Sequence, residues 1–367
     1  MALILFGGSF DPPHNGHLRI AKAASNELFG AKVLFIPAKS PRWKITEESE
    51  EERLAMVKKA IESYPLFSIS DYEIKEKDEI SYTIKTVEHF HSLYPKEELY
   101  FLIGADEVNS FDRWKEPDAL SNLCHIFYSP RPGFLLDQEN IARFHMRGLH
   151  FYDSGEVASH DIRNLRCVDT PEAVLRYIEE RKLYYVKKIE NTIGSRRTVH
   201  SFSVAHLAEE IIRSNHLTSL YGKGYIAGAI HDLGKYLSDE EGRKKALLSF
   251  PSLNIKAIPA YAVHQYSGVT LAKEIFEIKD EEILKAVEMH CTGSKNMTPL
   301  AMILYSADKI EPARGYDSSE YIAACLHNYL DGFKMVLKAN KDFLEKKTKG
   351  RNEDPLTQEC YDKYLGE

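Results

Sequence analysis

The sequence predicts an α/β domain built on a parallel sheet, followed by an all-α domain. In the first half, short apolar runs alternate with amphipathic segments, which is typical of a parallel sheet wrapped by helices. From about residue 187 the strand signal stops and one helical pattern follows another. The chain has 367 residues, too many for a single ordinary core. We therefore place the two domains at residues 1–186 and 187–367.

The predicted elements follow from the spacing of apolar residues. Four apolar runs are candidate strands, at residues 3–6, 32–37, 99–104 and 125–130. Apolar residues recur every three or four positions in the first-half segments 17–29, 49–63 and 81–94, which predicts helices. Helices in the second half are predicted over residues 201–215, 223–237, 267–277, 280–290, 299–311 and 318–347. The domain boundary is expected within the charged segment 185–197.

Composition narrows the classes of partner. A formal net charge of -7 and a pI near 6.1 argue against nucleic acid or an anionic membrane surface as a partner. The five cysteines are scattered and never spaced as CxxC, so neither a disulfide framework nor a zinc knuckle is expected. The first apolar run is too short for a signal peptide, and no later stretch could span a bilayer. We expect a cytoplasmic protein with small-molecule partners, and leave open whether it forms a homo-oligomer.

A glycine-rich turn at residues 7–17, GGSFDPPHNGH, predicts a phosphate site. Glycines let the backbone approach a ligand closely, and a helix beginning near His17 would point its positive end at the same place. His14 and His17 are separated by two residues, so both can face one ligand and donate hydrogen bonds to phosphoryl oxygens. The alternative is that both histidines are ordinary loop and cap residues.

Four segments in order resemble bacterial nicotinate-mononucleotide adenylyltransferases: GGSFDPPHNGH, SYTIKT (81–86), FLIGADEVNSFDRW (101–114) and RPG (131–133). The resemblance implies a Rossmann-like nucleotidyltransferase domain that transfers AMP from ATP to nicotinate mononucleotide, giving deamido-NAD, with Mg²⁺ accompanying ATP. His14 and His17 would be the catalytic residues at the ATP phosphates. The implied nucleotide-binding residues are Gly7, Gly8, Ser9, Phe10, Lys44, Thr83, Gly104, Asp106, Trp114, Arg131, Ser159 and Arg163. For Trp114, a place in the core is the alternative.

The chain departs from the pattern of that family in two places. Lys44 is kept, but the residues before it differ from the family's proline-histidine pair. The family's Ser-Ser-Thr-x-Ile-Arg stretch is ASHDIR here (158–163), with His160 in place of the threonine, and the segment that follows it is shortened. These changes motivate an alternative in which the first half binds a nucleotide without turnover, as a sensor or scaffold.

The second half carries histidines and aspartates, mostly in apolar helical contexts, within the segments RRTVH (196–200), GAIHDLGK (228–235), YAVHQYSG (261–268), VEMHCTG (287–293) and YSADKIEPARGY (305–316). Unpaired imidazoles or carboxylates would be costly to bury there. Nitrogen and oxygen donors from several helices suit one or two divalent transition metals rather than Ca²⁺. The candidate ligands are His200, His231, Asp232, His264, His290 and Asp308. Any one of them alone could be an ordinary core or surface residue.

The His231–Asp232 doublet followed by Gly-Lys, with the outlying histidines and aspartate in order, resembles the HD phosphohydrolase superfamily. Residues 195–365 resemble its symmetrical dinucleoside-tetraphosphate hydrolases. The resemblance implies that the six residues hold a dinuclear metal centre, iron or similar, with one carboxylate bridging. It also implies cleavage of diadenosine tetraphosphate to two ADP, with Asp232 and Lys235 as catalytic residues. The cations expected to hold the polyphosphate are Arg197, Lys235 and Arg314.

Together these resemblances predict a bifunctional enzyme. An all-α HD domain that acts on another phosphorylated nucleotide is the alternative for the second half, and solvated surface charge is the alternative for the cations. The sequence does not name the metal, because imidazole and carboxylate ligands accept Fe, Mn, Co or Zn.

Overall fold

The computed structural model describes residues 2–39, 45–76, 81–131, 133–150, 157–348 and 354–366. The chain divides into two compact units. The first comprises residues 1–163 and 169–183, and the second comprises residues 164–168 and 184–367. The main division therefore falls just before the charged segment in which the sequence places the domain boundary, and that segment begins a long helix.

A six-stranded, all-parallel sheet forms the centre of the first unit, in the order β3-β2-β1-β4-β5-β6. The strands are β1 (Ala2–Gly8), β2 (Lys32–Pro37), β3 (Phe67–Ile69), β4 (Glu98–Gly104), β5 (His125–Ser129) and β6 (Arg147–Gly148). The four predicted strands are confirmed as β1, β2, β4 and β5. The other two strands lie at the edges of the sheet and are only three and two residues long, too short to show a period in the sequence.

The strand order places a ligand site at one edge of this sheet. The central strands are buried on both faces, so they read as continuous apolar runs. Strand β1 pairs with β2 on one side and with β4 on the other, with Phe6 opposite Leu102. The strand order reverses between β1 and β4, and open α/β sheets bind ligands at such a point, beyond the carboxyl ends of the strands.

Nine α-helices lie in the described part of the first unit, seven of them between strands and the last two after β6: α1 (Asn15–Glu27), α2 (Glu50–Ile61), α3 (Tyr72–Lys75), α4 (Thr83–Leu93), α5 (Ala105–Val108), α6 (Pro117–Leu123), α7 (Gln138–Arg143), α8 (Ser159–Arg163) and α9 (Glu172–Arg181). Helix α2 shows why they begin where they do. The side chain of Ser49 accepts a hydrogen bond from the Glu52 amide, and three glutamates complement the positive end of the helix. Helix α1 begins at Asn15, two residues earlier than predicted.

The described part of the second unit is all helical, as predicted. Its helices are α10 (Tyr185–Ser214), α11 (Lys223–Ile230), α12 (Asp239–Ser249), α13 (Val263–Phe276), α14 (Glu281–Met289), α15 (Pro299–Ile310), α16 (Ser319–His327), α17 (Tyr329–Thr348) and α18 (Pro355–Leu365). The long helix predicted over residues 318–347 is two helices, because the side chain of Asn328 accepts hydrogen bonds from the amides of Leu330 and Asp331 and starts a new helix. None of the described helices is long and apolar enough to cross a membrane.

Two glycines let the helices around the His231–Asp232 doublet approach one another closely. A Cβ atom on Gly228 would lie 2.4 Å from the Cα of Ala205, so α11 contacts α10 backbone to backbone. A Cβ atom on Gly234, in the 3₁₀ turn after the doublet, would lie 2.6 Å from the carbonyl oxygen of His264 in α13. The doublet is thereby held between α10 and α13.

Candidate functional sites

A cleft of about 680 Å³ opens at the carboxyl ends of β1 and β4. Its walls include the first turn of α1, the starts of α4 and α5, and most of α8. Every sequence-predicted nucleotide residue in the described part of the chain lines it: Gly7, Gly8, Ser9, Phe10, His14, His17, Thr83, Gly104, Asp106, Trp114, Arg131, Ser159 and Arg163. Lys44 lies outside the described residues. The structure thus gathers segments that are far apart in the sequence around one cavity.

The two histidines of the first motif pack against each other at one end of the cleft. Their ring centroids are 3.7 Å apart, with 31° between the ring planes. The main-chain N–H of His14 donates a hydrogen bond to Nδ1 of His17 (3.1 Å), so neutral His17 carries its proton on Nε2. Burial lowers the pKa of His14 to about 4, against the opposing effect of the Asp169 carboxylate. At neutral pH, His14 is therefore an uncharged imidazole.

Trp114 contacts the core of the first unit and also lines the cleft. Its ring packs on Phe111 at 4.9 Å and meets Phe101 edge-on at 6.2 Å, so part of it belongs to the core of the first unit. It also lines the cleft and stays half-buried. The core placement and the cleft placement are therefore compatible.

The ASHDIR segment bonds to the loop of the first motif. Ser159 Oγ donates to the carbonyl oxygen of Pro12 (2.9 Å), and Arg163 donates to the carbonyl oxygen of Asp11 (2.5 Å) and to Glu47 (2.7 Å). His160, which replaces the family's threonine, is exposed and lines the cleft. In the structure, two of the residues expected to bind the nucleotide, Ser159 and Arg163, instead hold the loop of the first motif; their contact with a nucleotide stays a prediction.

Sequence reasoning missed Asp169 and Thr170. The Asp169 carboxylate accepts hydrogen bonds from the Asn15 side chain (2.7 Å) and from Arg19 (3.0 Å). Thr170 Oγ1 donates to the carbonyl oxygen of Pro13 (2.9 Å). No motif surrounds these two residues, and about 150 residues separate them from their partners, so only the fold could reveal them.

The second unit brings all six candidate metal ligands together. They come from α10, α13 and α15, from the ends of α11 and α14, and from the turn after α11. Two groups have ligand atoms within 4.8 Å of one another: His200, His231 and Asp232 in one, and Asp232, His264 and His290 in the other. Asp232 belongs to both groups.

The two oxygens of Asp232 face different histidines. Its Oδ1 lies 3.5 Å from Nε2 of His264 and 3.8 Å from Nε2 of His290. Its Oδ2 lies 3.5 Å from Nε2 of His231 and 3.8 Å from Nε2 of His200. Asp308 joins the second of these sets, with its Oδ1 3.2 Å from Nε2 of His200. A carboxylate placed this way can bridge two metal ions.

Three of the imidazoles are oriented through their other nitrogen. Nδ1 of His231 donates to the carbonyl oxygen of Gly228, and Nδ1 of His290 donates to that of Val287, both at 2.7 Å. Nδ1 of His200 donates to Glu311 Oε1 at 2.8 Å. Histidines that bind metals in proteins are held in this way, which turns Nε2 toward the centre of the cluster.

The electrostatics of the cluster depend on its two carboxylates. Burial opposes a charge on His231, but Asp232 and Asp308 outweigh it and raise the pKa of His231 to about 10. Burial, together with the Lys235 ammonium, lowers the pKa of His264 to about 4. Burial, together with the neighbouring His231 imidazolium, also holds the pKa of His290 well below its usual range. Without a metal, the His231 imidazolium therefore sits beside the neutral imidazoles of His264 and His290 and two carboxylates.

The donor set fits a divalent transition metal. Nε2 of His231 is buried and has no hydrogen-bond partner at normal distance, its nearest carboxylate oxygens being 3.5 and 3.6 Å away. Imidazole nitrogens and carboxylate oxygens are the ligands that such ions accept. A metal ion would replace the proton on this nitrogen and occupy the space between these donors.

The three predicted cations lie at the same cluster. Arg197 pairs with Asp232, and Arg314 donates to Oδ1 of Asp308 at 2.7 Å. The Nζ of Lys235 lies 3.3 Å from Nε2 of His264. Their placement next to the ligands is observed, and their binding of polyphosphate stays a prediction.

Glu311 is a further residue of this site that sequence reasoning passed over. Its side chain is 1% exposed and accepts hydrogen bonds from His200 Nδ1 and, at 2.6 Å, from the Ala313 amide. It lies three residues after Asp308 in the segment already singled out. In the sequence, a glutamate in a charged stretch is indistinguishable from a solvent-exposed one. Only the structure shows that Glu311 is buried and bonded to His200.

Comparison with known proteins finds one matching family for each half of the chain. The chain matches the Cytidylyltransferase-like family over residues 5–165 and the HD domain over residues 197–313. The "Probable nicotinate-nucleotide adenylyltransferase/Ap4A hydrolase" of Mycoplasma genitalium is 34% identical, over 85% of this chain and 88% of the relative. The protein of the same name from Mycoplasma pneumoniae is 31% identical, over 86% and 90%.

A solved structure is also similar to part of the chain. It is the "predicted HD superfamily hydrolase involved in NAD metabolism" from Clostridium acetobutylicum, 29% identical, with a TM-score of 0.44 over 49% of this chain and 96% of that chain. The family itself is established by the full-length relatives from the two mycoplasmas. An HD domain implies that the His/Asp cluster binds a divalent metal. The chain belongs to the family of two-domain proteins that join a nicotinate-nucleotide adenylyltransferase domain to an HD-type Ap4A hydrolase domain.

Proposed function

We propose that the chain is a bifunctional enzyme that handles adenosine attached to a phosphate chain. Its first half transfers AMP from the Mg²⁺ complex of ATP to nicotinate mononucleotide. Its second half hydrolyses diadenosine tetraphosphate (Ap4A) symmetrically to two ADP at a dinuclear centre, which we assign to iron. The observation that carries the proposal is that both predicted residue sets converge, each on one site, in a chain whose full-length relatives are named for these two activities.

Adenylyl transfer needs positioned donors rather than a covalent intermediate. A phosphate oxygen of the mononucleotide attacks the α-phosphorus of ATP, the bond to the bridging oxygen breaks, and pyrophosphate leaves. His17 offers the N–H of its Nε2, and neutral His14 can donate beside it, to phosphate oxygens whose charge changes during transfer. Trp114 offers a face for the pyridine ring, and Arg131 is the cation for the nicotinate carboxylate.

Hydrolysis of Ap4A requires a water to attack one of the two central phosphorus atoms, so that one ADP departs and the other keeps the new oxygen. The metal pair would be held by His200, His231, Asp232, His264, His290 and Asp308, with Asp232 shared. When bound, such ions supply Lewis-acid activation of the phosphate and of the attacking water. The chain's own cations, Arg197, Lys235 and Arg314, neutralise the polyphosphate and keep it in line.

Metal binding is expected to release one proton per chain. The carboxylates of Asp232 and Asp308 keep His231 protonated, and this proton must leave before the imidazole can bind a metal ion. Its pKa of about 10 lies above neutrality, so the apparent affinity for Mn²⁺ should rise about tenfold per pH unit between pH 6.5 and 8.5. Calorimetric titration of the metal-free protein in buffers of different ionisation enthalpy counts the protons. An affinity that is constant over this pH range would contradict the expectation.

Glu311→Gln should weaken the metal site without removing a ligand. The amide is the same size as the carboxylate but carries no charge, so His200 loses a charge-assisted hydrogen bond that fixes its ring. We expect a 10- to 100-fold loss of metal affinity, roughly the cost of losing such a partner. Equilibrium dialysis against Mn²⁺ measures it, with Glu345→Gln on the exposed side of α17 as the control. Equal affinities in the two variants would show that His200 does not depend on Glu311.

The whole proposal is tested by supplying the purified full chain with ATP, Mg²⁺ and nicotinate mononucleotide, and separately with Ap4A, and quantifying products by chromatography. Deamido-NAD and ADP are expected, each at an ordinary enzymatic rate. ATP binding without dinucleotide formation would instead identify the first half as a nucleotide sensor or scaffold. Equal turnover of unrelated phosphorylated nucleotides by the second half would overturn the Ap4A assignment.

A further inference from the structure

We propose that Asp169 and Thr170 form a clamp that positions His14 and His17 for adenylyl transfer. The inference rests on the proposed function of the first half and adds to it two positioning residues that do not line the cleft. They act through the turn that carries the histidines, and we call them the 169–170 clamp.

The clamp holds both chain neighbours of His14. Thr170 Oγ1 donates to the carbonyl oxygen of Pro13 at 2.9 Å. Asp169 bonds to Asn15 twice, since its carbonyl oxygen accepts from the Asn15 amide at 3.0 Å and its carboxylate accepts from the Asn15 side chain at 2.7 Å. His14 therefore cannot shift along the turn without breaking one of these hydrogen bonds.

A third contact extends the clamp into α1. Arg19, one turn past Asn15, donates to Oδ2 of Asp169 at 3.0 Å. His17 lies between these two anchored residues on the same helix. The arginine also neutralises the carboxylate, which would otherwise repel a phosphate chain in the neighbouring cleft. One aspartate thus fixes the first turn of α1 on either side of His17 at little electrostatic cost to an anionic ligand.

The rest of the loop is held by the same stretch of chain. The carbonyl oxygens of Asp11 and Pro12 accept hydrogen bonds from Arg163 and Ser159. Residues 11–15 are therefore bonded at every position except His14 itself to residues between 159 and 170. Asp169 follows Arg163 by only six residues, so both ends of this short segment bond to the loop of the first motif.

Positioning of this kind has a large effect on transfer. Phosphoryl-group chemistry depends on placing donors correctly, and a displacement of about 1 Å at a reacting group can cost about a hundredfold in rate. The clamp is already formed without a ligand and holds donors that act on the transition state, so its loss should lower kcat and kcat/KM together.

The experiment compares the full-length protein with three clamp variants. Asp169→Ala removes both carboxylate contacts, Asp169→Asn keeps one oxygen acceptor, and Thr170→Val removes only the hydroxyl. Asp118→Ala is the matched control, because Asp118 is also paired with an arginine in the first unit but is 64% exposed and lies outside the cleft. Each preparation is assayed for deamido-NAD formation, for ATP-binding stoichiometry by calorimetry, and for Ap4A hydrolysis.

We expect Asp169→Ala to lower kcat for deamido-NAD about 10- to 100-fold, with ATP-binding stoichiometry and Ap4A hydrolysis equal to those of the control. Asp169→Asn should recover part of the rate, and Thr170→Val should lose about tenfold. A loss of rate that only matches a loss of ATP-binding sites would mean a purely structural role, and it would overturn the inference. So would an Asp169→Ala protein as active as the control. Wild-type protein that forms no deamido-NAD would instead overturn the proposed function, and the clamp's role in transfer with it.

Discussion

Replacing His17 by alanine is expected to lower deamido-NAD synthesis by at least about two to three powers of ten, the usual cost of losing a preorganised donor to a developing charge. The substitution removes the Nε2 donor at the end of the cleft. It also removes the acceptor for the His14 main-chain N–H, so the neighbouring imidazole loses its support. Ap4A hydrolysis should be unchanged, because every candidate ligand of the metal cluster belongs to the other unit.

The measurement is the initial rate of both reactions on one preparation. His91→Ala is the matched control, since this histidine is exposed on α4 and does not line the cleft. His17→Ala with a rate close to that of the control would show that the transfer step uses other donors. Loss of both activities in His17→Ala would show that the two sites are not separate.

Replacing Asp232 by alanine is expected to have the opposite pattern. Hydrolysis of Ap4A should fall by at least about three powers of ten, because two-metal clamps supply several kcal/mol of transition-state stabilisation. Each oxygen of Asp232 faces a different pair of histidines, so its loss should weaken both halves of the metal site. Deamido-NAD synthesis should continue.

Elemental analysis distinguishes a shared carboxylate from an ordinary ligand. If Asp232 bridges two ions, Asp232→Ala should lose both, whereas His264→Ala should lose the one that His264 and His290 hold. Asp239→Ala on α12, where the carboxylate pairs with Arg243 at the surface, is the control and should keep full metal content. Retention of one metal in Asp232→Ala would rule out the bridging role, and thermal unfolding of the variants shows whether the buried histidines still fold around the gap.

The sequence predicts the elements whose pattern is long enough to read. The central strands are apolar runs of five to seven residues, which the pattern predicts; β3 and β6 escape prediction because two or three residues carry no period. The break at Asn328 was missed because apolar spacing continues across it, and only the cap formed by its side chain ends one helix and begins another.

The site residues also fall into those that the sequence predicts and those that only the structure reveals. His14 and the His231–Asp232 doublet stand in dense local motifs, so the resemblance to known families located them. Asp169 and Glu311 act on those motifs from a distance or from a charged stretch, and their partners are set by packing. A carboxylate that is buried against a histidine looks in the sequence like any other surface carboxylate, so burial is the information that only the fold supplies.

Residues 164–168 belong to the second unit although the chain on both sides of them belongs to the first, and this limits how the protein can be divided into fragments. Although they follow the adenylyltransferase motif ASHDIR, these five residues belong to the helical unit, where Asn164 accepts a hydrogen bond from Lys188 and Arg166 pairs with Glu277. A gene truncated at codon 186 would leave these residues without their partners, and a fragment starting at residue 187 would lack them. Because the backbone passes between the units three times, no single cut yields two intact modules. A cut after residue 163, 168 or 183 therefore leaves at least one unit without some of its own residues, so each activity is to be assayed on the full chain.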